Sequence, residues 1–337
     1  MKGRAVHVHV VLLALALGAA SLPLPSAGAG PDDEGEALLA YARRVASNET
    51  FAGVVEVRWR DDEGREHVER VGARSVAGSF VVGIGDRRVV GQGVQRSTTE
   101  GGQAGAHWST ADLHPAPRPG AAWQLEVVGA RAVAERAATL VVARDADGRV
   151  RARFAVDHET GQLLKREVLD QHGHVLRSVG FVKIVTGAVT PAVPAVKRDI
   201  TATPVPISEV PGGFTSPEVV GSAYRLLGRY RHPHGVVQLY YGDGLFTLSL
   251  FEQQGRIDWS ALPAGHPADV AGVRTRSYST ATGTVVVWSN HDLVLTAIGD
   301  GPPDTVLAVV ASVNGRSNDH GWVDDVTNFV LGPFRWE

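Results

Sequence analysis

Short turn signals separate runs of alternating side chains along this chain, most clearly over residues 157–181 (DHETGQLLKREVLDQHGHVLRSVGF). Residues 157–161 and 170–173 carry the Asp and Gly residues that let a backbone reverse direction. Between them, branched apolar and charged side chains mix as a half-exposed strand requires. The same signal recurs at residues 61–64 (DDEG) and 145–148 (DADG). The pattern predicts an antiparallel meander, which favours a binding surface over a catalytic centre.

The composition is that of a globular protein with a buried core. Of its 337 residues, 44% are hydrophobic and 20% are charged, which suits one large or two ordinary domains. The formal net charge is -3, whereas nucleic-acid binders concentrate a basic excess on one face, so no nucleic-acid partner is expected. The chain has no cysteine. Its fold therefore rests on its own core, and any metal site would use His and carboxylate ligands.

The N-terminus has the three parts of a secretory signal peptide. Lys2 and Arg4 supply positive charge, residues 8–17 form an apolar core, and residues 27–29 (AGA) offer small side chains for cleavage. A retained membrane anchor would need about 20 apolar residues, but prolines interrupt a shorter run here. Residues 1–29 are therefore predicted to be a signal peptide. The mature chain is expected to be exported, and soluble in the periplasm or another extracytoplasmic space.

One helix and then strands are predicted after the signal. Residues 36–47 have the spacing of an amphipathic helix. Its predicted apolar face holds Leu38, Tyr41, Ala42 and Val45, while Arg43 and Arg44 point away. From Phe51 the period changes to two, which predicts a strand with Val55, Val57 and Trp59 on one side. A later strand is predicted to have Phe154 on its apolar face. On its opposite face, Arg149, Arg151 and Arg153 alternate with the apolar residues, which predicts a solvent-exposed, arginine-rich surface.

Two segments lack this order and divide the chain. Residues 91–120 are rich in Gly, Ser, Thr and Pro, which predicts a long loop that is either a lid or a poorly ordered excursion. Residues 187–206 hold four prolines, as an extended spacer does. The predicted organisation is a large domain over residues 30–190, a linker over 191–206 and a small domain over 207–337.

The C-terminal part predicts a small α+β domain. Strands are expected at residues 236–241, 245–251, 273–278, 285–288 and 293–298. A helix is predicted after Pro302 and Pro303, with Val306, Leu307 and Val310 on one side. A second helical stretch is expected at residues 322–331.

The sequence contains no complete nucleotide-binding or hydrolase motif, such as G-x-x-x-x-G-K-[ST], G-x-S-x-G or H-E-x-x-H. The best metal candidates are the pairs His172 with His174 and His232 with His234, but each lies in a turn-like, exposed stretch without a third ligand. Residues 145–148 lack the remaining ligands of a calcium loop. Solvated turns are favoured in all three places, so no enzymatic activity, cofactor or metal is predicted.

Two segments carry a family resemblance. Residues 157–181 resemble the end of the large domain of the RseB/MucB family, and residues 240–251 (YYGDGLFTLSLF) resemble the strand signature of its small domain. The order of signal, helix, sheet, linker and small domain is also similar. The resemblance thus covers essentially the whole mature chain.

The resemblance implies a mainly β (α+β) fold: a large antiparallel half-barrel sheet, similar to the LolA and LolB lipoprotein carriers, with helices in its concavity, plus a small α+β C-terminal domain. It also implies an extracytoplasmic negative regulator of an envelope-stress (sigma-E type) response. Such a regulator binds a membrane anti-sigma factor similar to RseA and responds to a lipid. The alternative is a lipid or lipoprotein carrier of LolA type.

Two sets of candidate residues follow from these readings. Aromatic and branched side chains either line a ligand groove or fill the core, and the core is favoured for most of them. The candidates for a ligand groove are Val55, Val57, Trp59 and Phe154. The candidates for contact with a protein partner are Tyr241, Asp243 and Phe246.

Overall fold

The structure of the protein is a computed structural model that describes residues 31–48, 50–76, 79–84, 87–92, 95–100, 103–104, 123–187, 203–204, 206, 214, 216–232 and 235–313. The predicted signal peptide and the predicted helix at residues 322–331 lie outside the described residues. Within the described ranges, no helix is long and apolar enough to cross a membrane.

The first half of the chain forms helix α1 and an eleven-stranded antiparallel sheet. The elements are α1 (Pro31–Asn48), β1 (Phe51–Arg60), β2 (Glu66–Val76), β3 (Ser79–Ile84), β4 (Arg87–Gln92), β5 (Gln95–Glu100), β6 (Gln103–Ala104), β7 (Gln124–Val133), β8 (Arg136–Arg144), β9 (Val150–Asp157), β10 (Leu163–Leu169) and β11 (Val175–Thr186). Their order across the sheet is β6-β5-β4-β3-β2-β1-β11-β10-β9-β8-β7. The predicted mainly β fold is confirmed.

The sheet consists of two meanders joined at one seam. Strands β1 to β6 and strands β7 to β11 each pair with their sequence neighbours. Among the described residues only the β1–β11 ladder links the two groups, from Phe51 opposite Thr186 to Trp59 opposite Arg177. The sheet is strongly curved, since Cα atoms of β7 approach within 8 Å of β11 although three strands separate them. It does not close into a barrel, as the half-barrel expectation requires.

The predicted Asp–Gly turns are confirmed at atomic detail. The N–H groups of Gly64, Gly148 and Gly173 donate to the carbonyls of Asp61, Asp145 and Asp170. One carboxylate oxygen of each Asp also accepts the N–H groups two and four residues later, at 2.8–3.0 Å. All three glycines have positive φ angles, which only glycine adopts without strain.

Helix α1 packs against β7, β9 and β10. Its buried face differs from the predicted one, because Leu39 takes the place of Leu38 beside Ala42 and Val45. Tyr41 is 39% exposed. Arg43, which was expected to point away into solvent, instead donates a hydrogen bond to the carbonyl of Gly244 in the second half of the chain. The helix therefore contacts both halves of the protein.

The second half forms a nine-stranded antiparallel sheet and helix α2. Its elements are β12 (Thr203–Pro204), β13 (Val219–Val220), β14 (Tyr224–Arg231), β15 (Val237–Gly242), β16 (Thr247–Gln254), β17 (His266–Val270), β18 (Val273–Ser279), β19 (Thr284–Asn290), β20 (Leu293–Gly299) and α2 (Pro303–Val313). The strand order is β12-β14-β15-β16-β20-β19-β18-β17, with β13 also on β14. The five predicted strands and the helix are confirmed, whereas β14 and β17 were not predicted.

Two further sequence predictions are wrong. Residues 91–120 were expected to be a loop, but strands β4, β5 and β6 occupy residues 91–92, 95–100 and 103–104, because polar Gln, Ser and Thr side chains can line a strand as well as a loop. Residues 105–120 lie outside the described residues. The arginine-rich face is also not uniformly wet, since a register shift between β8 and β9 coincides with a buried Arg151, which is 4% exposed.

Candidate functional site

The candidate site is the junction where β9, β10 and β11 meet the second sheet. One buried cluster runs through it without interruption, from Leu39, Phe154 and Val168 on one side to Tyr224 and Phe246 on the other. We call this contact the sheet junction. It brings together residues more than 100 positions apart in sequence.

The four groove candidates lie on one face of the first sheet. Val57 pairs with Val179, Val179 with Arg166, and Arg166 with Phe154, and paired residues of an antiparallel ladder share a face. All four candidates are buried, but Val55, Val57 and Trp59 pack in one cluster with Phe181, while Phe154 packs in the cluster of the sheet junction. Trp59 stacks on His67, with ring centroids 4.9 Å apart.

A cavity of about 50 Å³ lies between β10, β11 and the second half of the chain. Its apolar lining includes Val55, Leu164, Val168 and Phe181, and of the four groove candidates only Val55 contributes to it. Its charged lining consists of Lys165, Arg166 and Arg177 from the first sheet and Asp300 from the second. The cavity has room for a few water molecules.

Arg166 and Arg177 converge on Asp300 across the sheet junction. Nη1 of Arg166 lies 2.8 Å from Oδ2 of Asp300, and Nη2 lies 3.4 Å from the main-chain carbonyl of the same residue. Arg177 also donates to that carbonyl. The guanidinium of Arg166 covers the ring of Phe246, with Cζ 4.9 Å from the ring centroid, a distance at which cation–π attraction is favourable.

Two further contacts join the two halves. Arg151 binds Asp304, in the first turn of α2, with Nη2 2.5 Å from Oδ1. The N–H of Ser279 donates to Oδ1 of Asp62 at 3.0 Å, so the tip of the β1–β2 hairpin contacts the β18–β19 hairpin. The acidic groups that meet Arg151, Arg166 and Arg177 across the junction thus come from residues 299–304 (GDGPPD), between β20 and α2.

The three partner candidates are buried at or beside the junction. Tyr241 donates its hydroxyl to the carbonyl of Pro217 at 3.0 Å. Asp243 accepts the N–H groups of Leu245 and Phe246 at 2.9 and 2.7 Å, which shapes the turn between β15 and β16. The Phe246 ring meets that of Trp123 edge to face, with centroids 5.3 Å apart. Trp123 and Arg166 of the first half cover the Phe246 ring, so a partner could reach this ring only if the two halves separated. The hydroxyl of Tyr241 is instead bound within the second half.

Burial shifts two ionisation equilibria at the junction. It raises the pKa of the Asp243 carboxyl to about 6, against the opposing hydrogen bonds from Phe246 and Leu245. Burial, together with the charge of neighbouring Arg166, lowers the pKa of the Arg177 guanidinium to about 10. Both shifts show that charged groups at the junction have lost much of their hydration.

The histidine candidates are not assembled into a metal site. His174 contacts Asp170 through Nδ1 at 3.0 Å, and His172 lies beside it on the same exposed turn. His232 was expected to be exposed, but it is buried beside Phe251 with Nε2 2.7 Å from Oε1 of Gln238. His234 lies outside the described residues. No group of three or more His, Asp or Glu side chains within the described part of the chain is arranged to hold a metal.

The residues that join the two halves were missed by the sequence analysis. Arg43 and Arg151 were predicted to face solvent, and Arg166, Arg177, Asp300 and Asp304 were not singled out. One signal was present: Asp300 and Asp304 flank two prolines at a strand-to-helix connection. Their arginine partners cannot be found locally, because they lie on strands more than 120 residues earlier.

Comparison with known proteins identifies one matching family model, that of the MucB/RseB N-terminal domain, over residues 85–206. A crystal structure of MucB is 20% identical and covers 83% of this chain and 97% of its own, with a TM-score of 0.48. The structure of the MucA/MucB complex of Pseudomonas aeruginosa is 20% identical and covers 82% of this chain and 96% of its own, with a TM-score of 0.44. The structure of a LolA superfamily protein from Nitrosomonas europaea is 8% identical and covers 80% of this chain and 92% of its own, with a TM-score of 0.22. No curated protein sequence matches significantly.

Proposed function

We propose that this chain, which resembles the MucB/RseB family, is an exported, non-enzymatic negative regulator of an envelope-stress response of the sigma-E type. In this proposal it binds the extracytoplasmic part of a membrane anti-sigma factor and shields that partner from proteolysis. The observation that carries the proposal is the match of residues 85–206 to the MucB/RseB N-terminal domain model. The small-domain signature at residues 240–251, which contains all three partner candidates, supports it.

The proposed domains are a large one over residues 30–190 and a small one over residues 207–337, with residues 191–206 between them. We place the partner at the sheet junction, including its Tyr241, Asp243 and Phe246 side. Because these side chains are buried, binding there requires the two domains to move apart. The ion pairs at the junction would then set the free-energy difference between closed and open forms.

A pull-down tests this proposal. Purified residues 30–337 should retain one of the extracytoplasmic segments of membrane anti-sigma factors encoded in the same genome, and the bound segment should resist a protease that cleaves it when free. Arg70→Gln serves as a matched control, because Arg70 is an exposed residue of β2 that pairs with Glu56 and lies away from the junction. If a folded chain retains none of the segments, the regulatory proposal is wrong.

The proposed regulator also binds a lipid, to which it responds. The second candidate function is that of a carrier, which binds a lipid or lipoprotein in order to transport it. The cavity beside Arg166 favours both, since apolar and cationic side chains line it together. Its volume of about 50 Å³ is too small for an acyl chain unless the domains separate. Native mass spectrometry of the purified chain should detect acyl lipid if either is correct. Lipid without any protein partner would favour the carrier.

A further inference from the structure

Asp300 presents two hydrogen-bond acceptors to the first sheet at once. Its carboxylate and its main-chain carbonyl both face Arg166, and the carbonyl also accepts from Arg177. A side-chain carboxylate and a main-chain carbonyl occur together only in a peptide. The two arginines therefore hold Asp300 as they would hold an aspartate of a bound peptide.

The arginines and the acidic loop come from different parts of the chain. Arg151, Arg166 and Arg177 stand on β9, β10 and β11, which form one continuous ladder. Residues 299–304 reach them as a short connection that ends in Pro302 and Pro303. The positive site is thus built on strands of the first sheet, and the segment that occupies it connects β20 to α2 in the second half of the chain.

The site has binding capacity that the loop does not use. Nε of Arg166 and Nε of Arg151 are buried and have no hydrogen-bond partner within the described part of the chain. The cavity beside Arg166 is lined by three cationic side chains and one carboxylate. Lys165 is paired with Glu167, so two arginines face one carboxylate. The remaining positive charge favours the approach of a further anionic group.

We propose that Arg166 and Arg177 form a binding site for an acidic peptide segment, and that Asp300 occupies this site in the free chain as an intramolecular competitor. This inference rests on the proposed function in one respect, namely that the partner is a protein. An acidic segment of that partner would displace residues 299–304 and shift the chain toward the open form, because two ligands cannot use the same donors. A partner segment with too little negative charge would then fail to displace residues 299–304 and would not bind.

The test separates the competitor from the site with two substitutions. Asp300→Asn keeps an Oδ1 that can accept the N–H of Thr247, which lies 2.7 Å from it, while it removes the charge that faces Arg166. Arg166→Gln removes a donor of the site itself. Binding is measured by isothermal titration calorimetry with a synthetic peptide of the chain's own residues 297–306 (AIGDGPPDTV). A second peptide with both Asp residues replaced by Asn is the charge control.

The two substitutions should change affinity in opposite directions. In Asp300→Asn the peptide should bind roughly fivefold or more tightly than in the wild type, a typical coupling factor between competing sites. In Arg166→Gln binding should weaken by about tenfold or more, as loss of a charge-assisted contact predicts. Arg70→Gln should bind like the wild type, and the Asn-containing peptide should not bind to any variant.

A purely structural role predicts a different pattern. If closure of the junction itself were needed for binding, both substitutions would weaken it, and that result would overturn the inference. Equal binding of the charged and uncharged peptides would overturn it too, as would binding of inorganic phosphate in place of the peptide. Thermal unfolding must show that Asp300→Asn is folded. If it is not, Asp304→Asn releases the neighbouring contact of residues 299–304 with Arg151, which should ease displacement of Asp300 and give a smaller gain in affinity.

The outcome is independent of the pull-down. Binding of the loop peptide to Asp300→Asn would stand even if no anti-sigma segment is retained, in which case the acidic partner belongs to another class of protein. Retention of an anti-sigma segment with equal affinity by the wild type and by Asp300→Asn would leave the proposed function intact and remove this inference.

Discussion

Arg166 and Asp300 stand 134 positions apart in sequence, yet Nη1 of the first lies 2.8 Å from Oδ2 of the second. Both side chains are largely buried, at 16% and 15% exposure. Water can therefore reach few atoms of either charged group while the two sheets stay in contact, so water cannot replace the contacts of the ion pair. Because Arg166 and Asp300 lie on opposite sides of the junction, any separation of the two halves must break this ion pair.

Loss of this pair should destabilise the chain. Arg166→Gln leaves Asp300 without its charged partner and removes the cation over Phe246, so we expect the free energy of unfolding to fall by about 2–4 kcal/mol. Arg70→Gln, which breaks an exposed pair with Glu56, should cost about 0.5 kcal/mol. Urea unfolding followed by tryptophan fluorescence measures both. Equal losses would show that the junction pair contributes no more than a surface pair.

Asp243 should make the stability of the chain depend on pH. Its folded pKa is raised to about 6 from a usual value of 3.8, so its contribution is fully present below about pH 3.8 and is lost as the pH rises through 6. Asp243→Asn preserves an acceptor for the N–H groups of Leu245 and Phe246 but carries no charge. It should therefore stabilise the chain at pH 7.5 by about 1–3 kcal/mol.

That gain should shrink toward zero as the pH falls to 4, where the wild-type carboxyl is protonated in the folded chain. Unfolding by urea at pH 7.5, 6 and 4.5 measures the trend. A gain that does not change with pH would mean that Asp243 does not titrate in this range.

Gly161 and Gly148 provide a matched pair for the packing of α1. Both have positive φ angles, 75° and 78°, in Asp–Gly turns. A Cβ at Gly148 would meet nothing within 4 Å, but at Gly161 it would lie 2.1 Å from Cε1 of Tyr41. Gly148→Ala should cost about 1–2 kcal/mol from the backbone alone. Gly161→Ala should cost roughly 1–2 kcal/mol more, because the Tyr41 ring must move.

The extra cost should disappear in a Tyr41→Ala background, since the clash is then absent. A thermodynamic cycle of the two substitutions, measured by thermal unfolding, gives this coupling. A coupling near zero would show that Tyr41 swings into solvent without loss.

Glu167 should stabilise the contact between β10 and β7. Its carboxylate lies 2.7 Å from Nζ of Lys165, 3.5 Å from Arg153 and 3.9 Å from Arg131 on β7. Burial opposes its ionisation, but these cations outweigh burial and lower the pKa. Its contribution to stability is therefore present above the unfolded pKa and is lost as the pH falls through the lower folded value. Glu167→Gln should cost about 1–3 kcal/mol at pH 7.

Hydrogen exchange locates this effect. Amides of β7 near Arg131 should exchange faster in Glu167→Gln, while those of β15 and β16 should be unchanged. Uniform acceleration throughout the chain would instead indicate general destabilisation.

Features set by neighbouring residues could be predicted from the sequence. The turns at Asp61, Asp145 and Asp170 depend on a carboxylate and a glycine three residues later, so their chemistry is local. The alternation of Val55, Val57 and Trp59 likewise predicted the buried face of β1, because a strand has a period of two.

Features set by distant contacts could not be predicted. Arg43 and Arg151 have the spacing of solvent-facing residues, and only the approach of the second sheet buries them. Leu38 and Leu39 are one helical position apart, so the choice between them depends on which strands α1 meets. The candidate site was missed for the same reason: its arginines and its acidic loop come together only when both sheets are in place.

The single seam between β1 and β11 has a consequence for how the chain acquires its fold. Each meander can form from hairpins as soon as its own strands are available, but the seam pairs Phe51 with Thr186 and must wait for both. Such long-range closure slows folding. Until then β1 and β11 each expose an unpaired edge, and this interval is when the nascent protein is most open to aggregation or to capture by a chaperone.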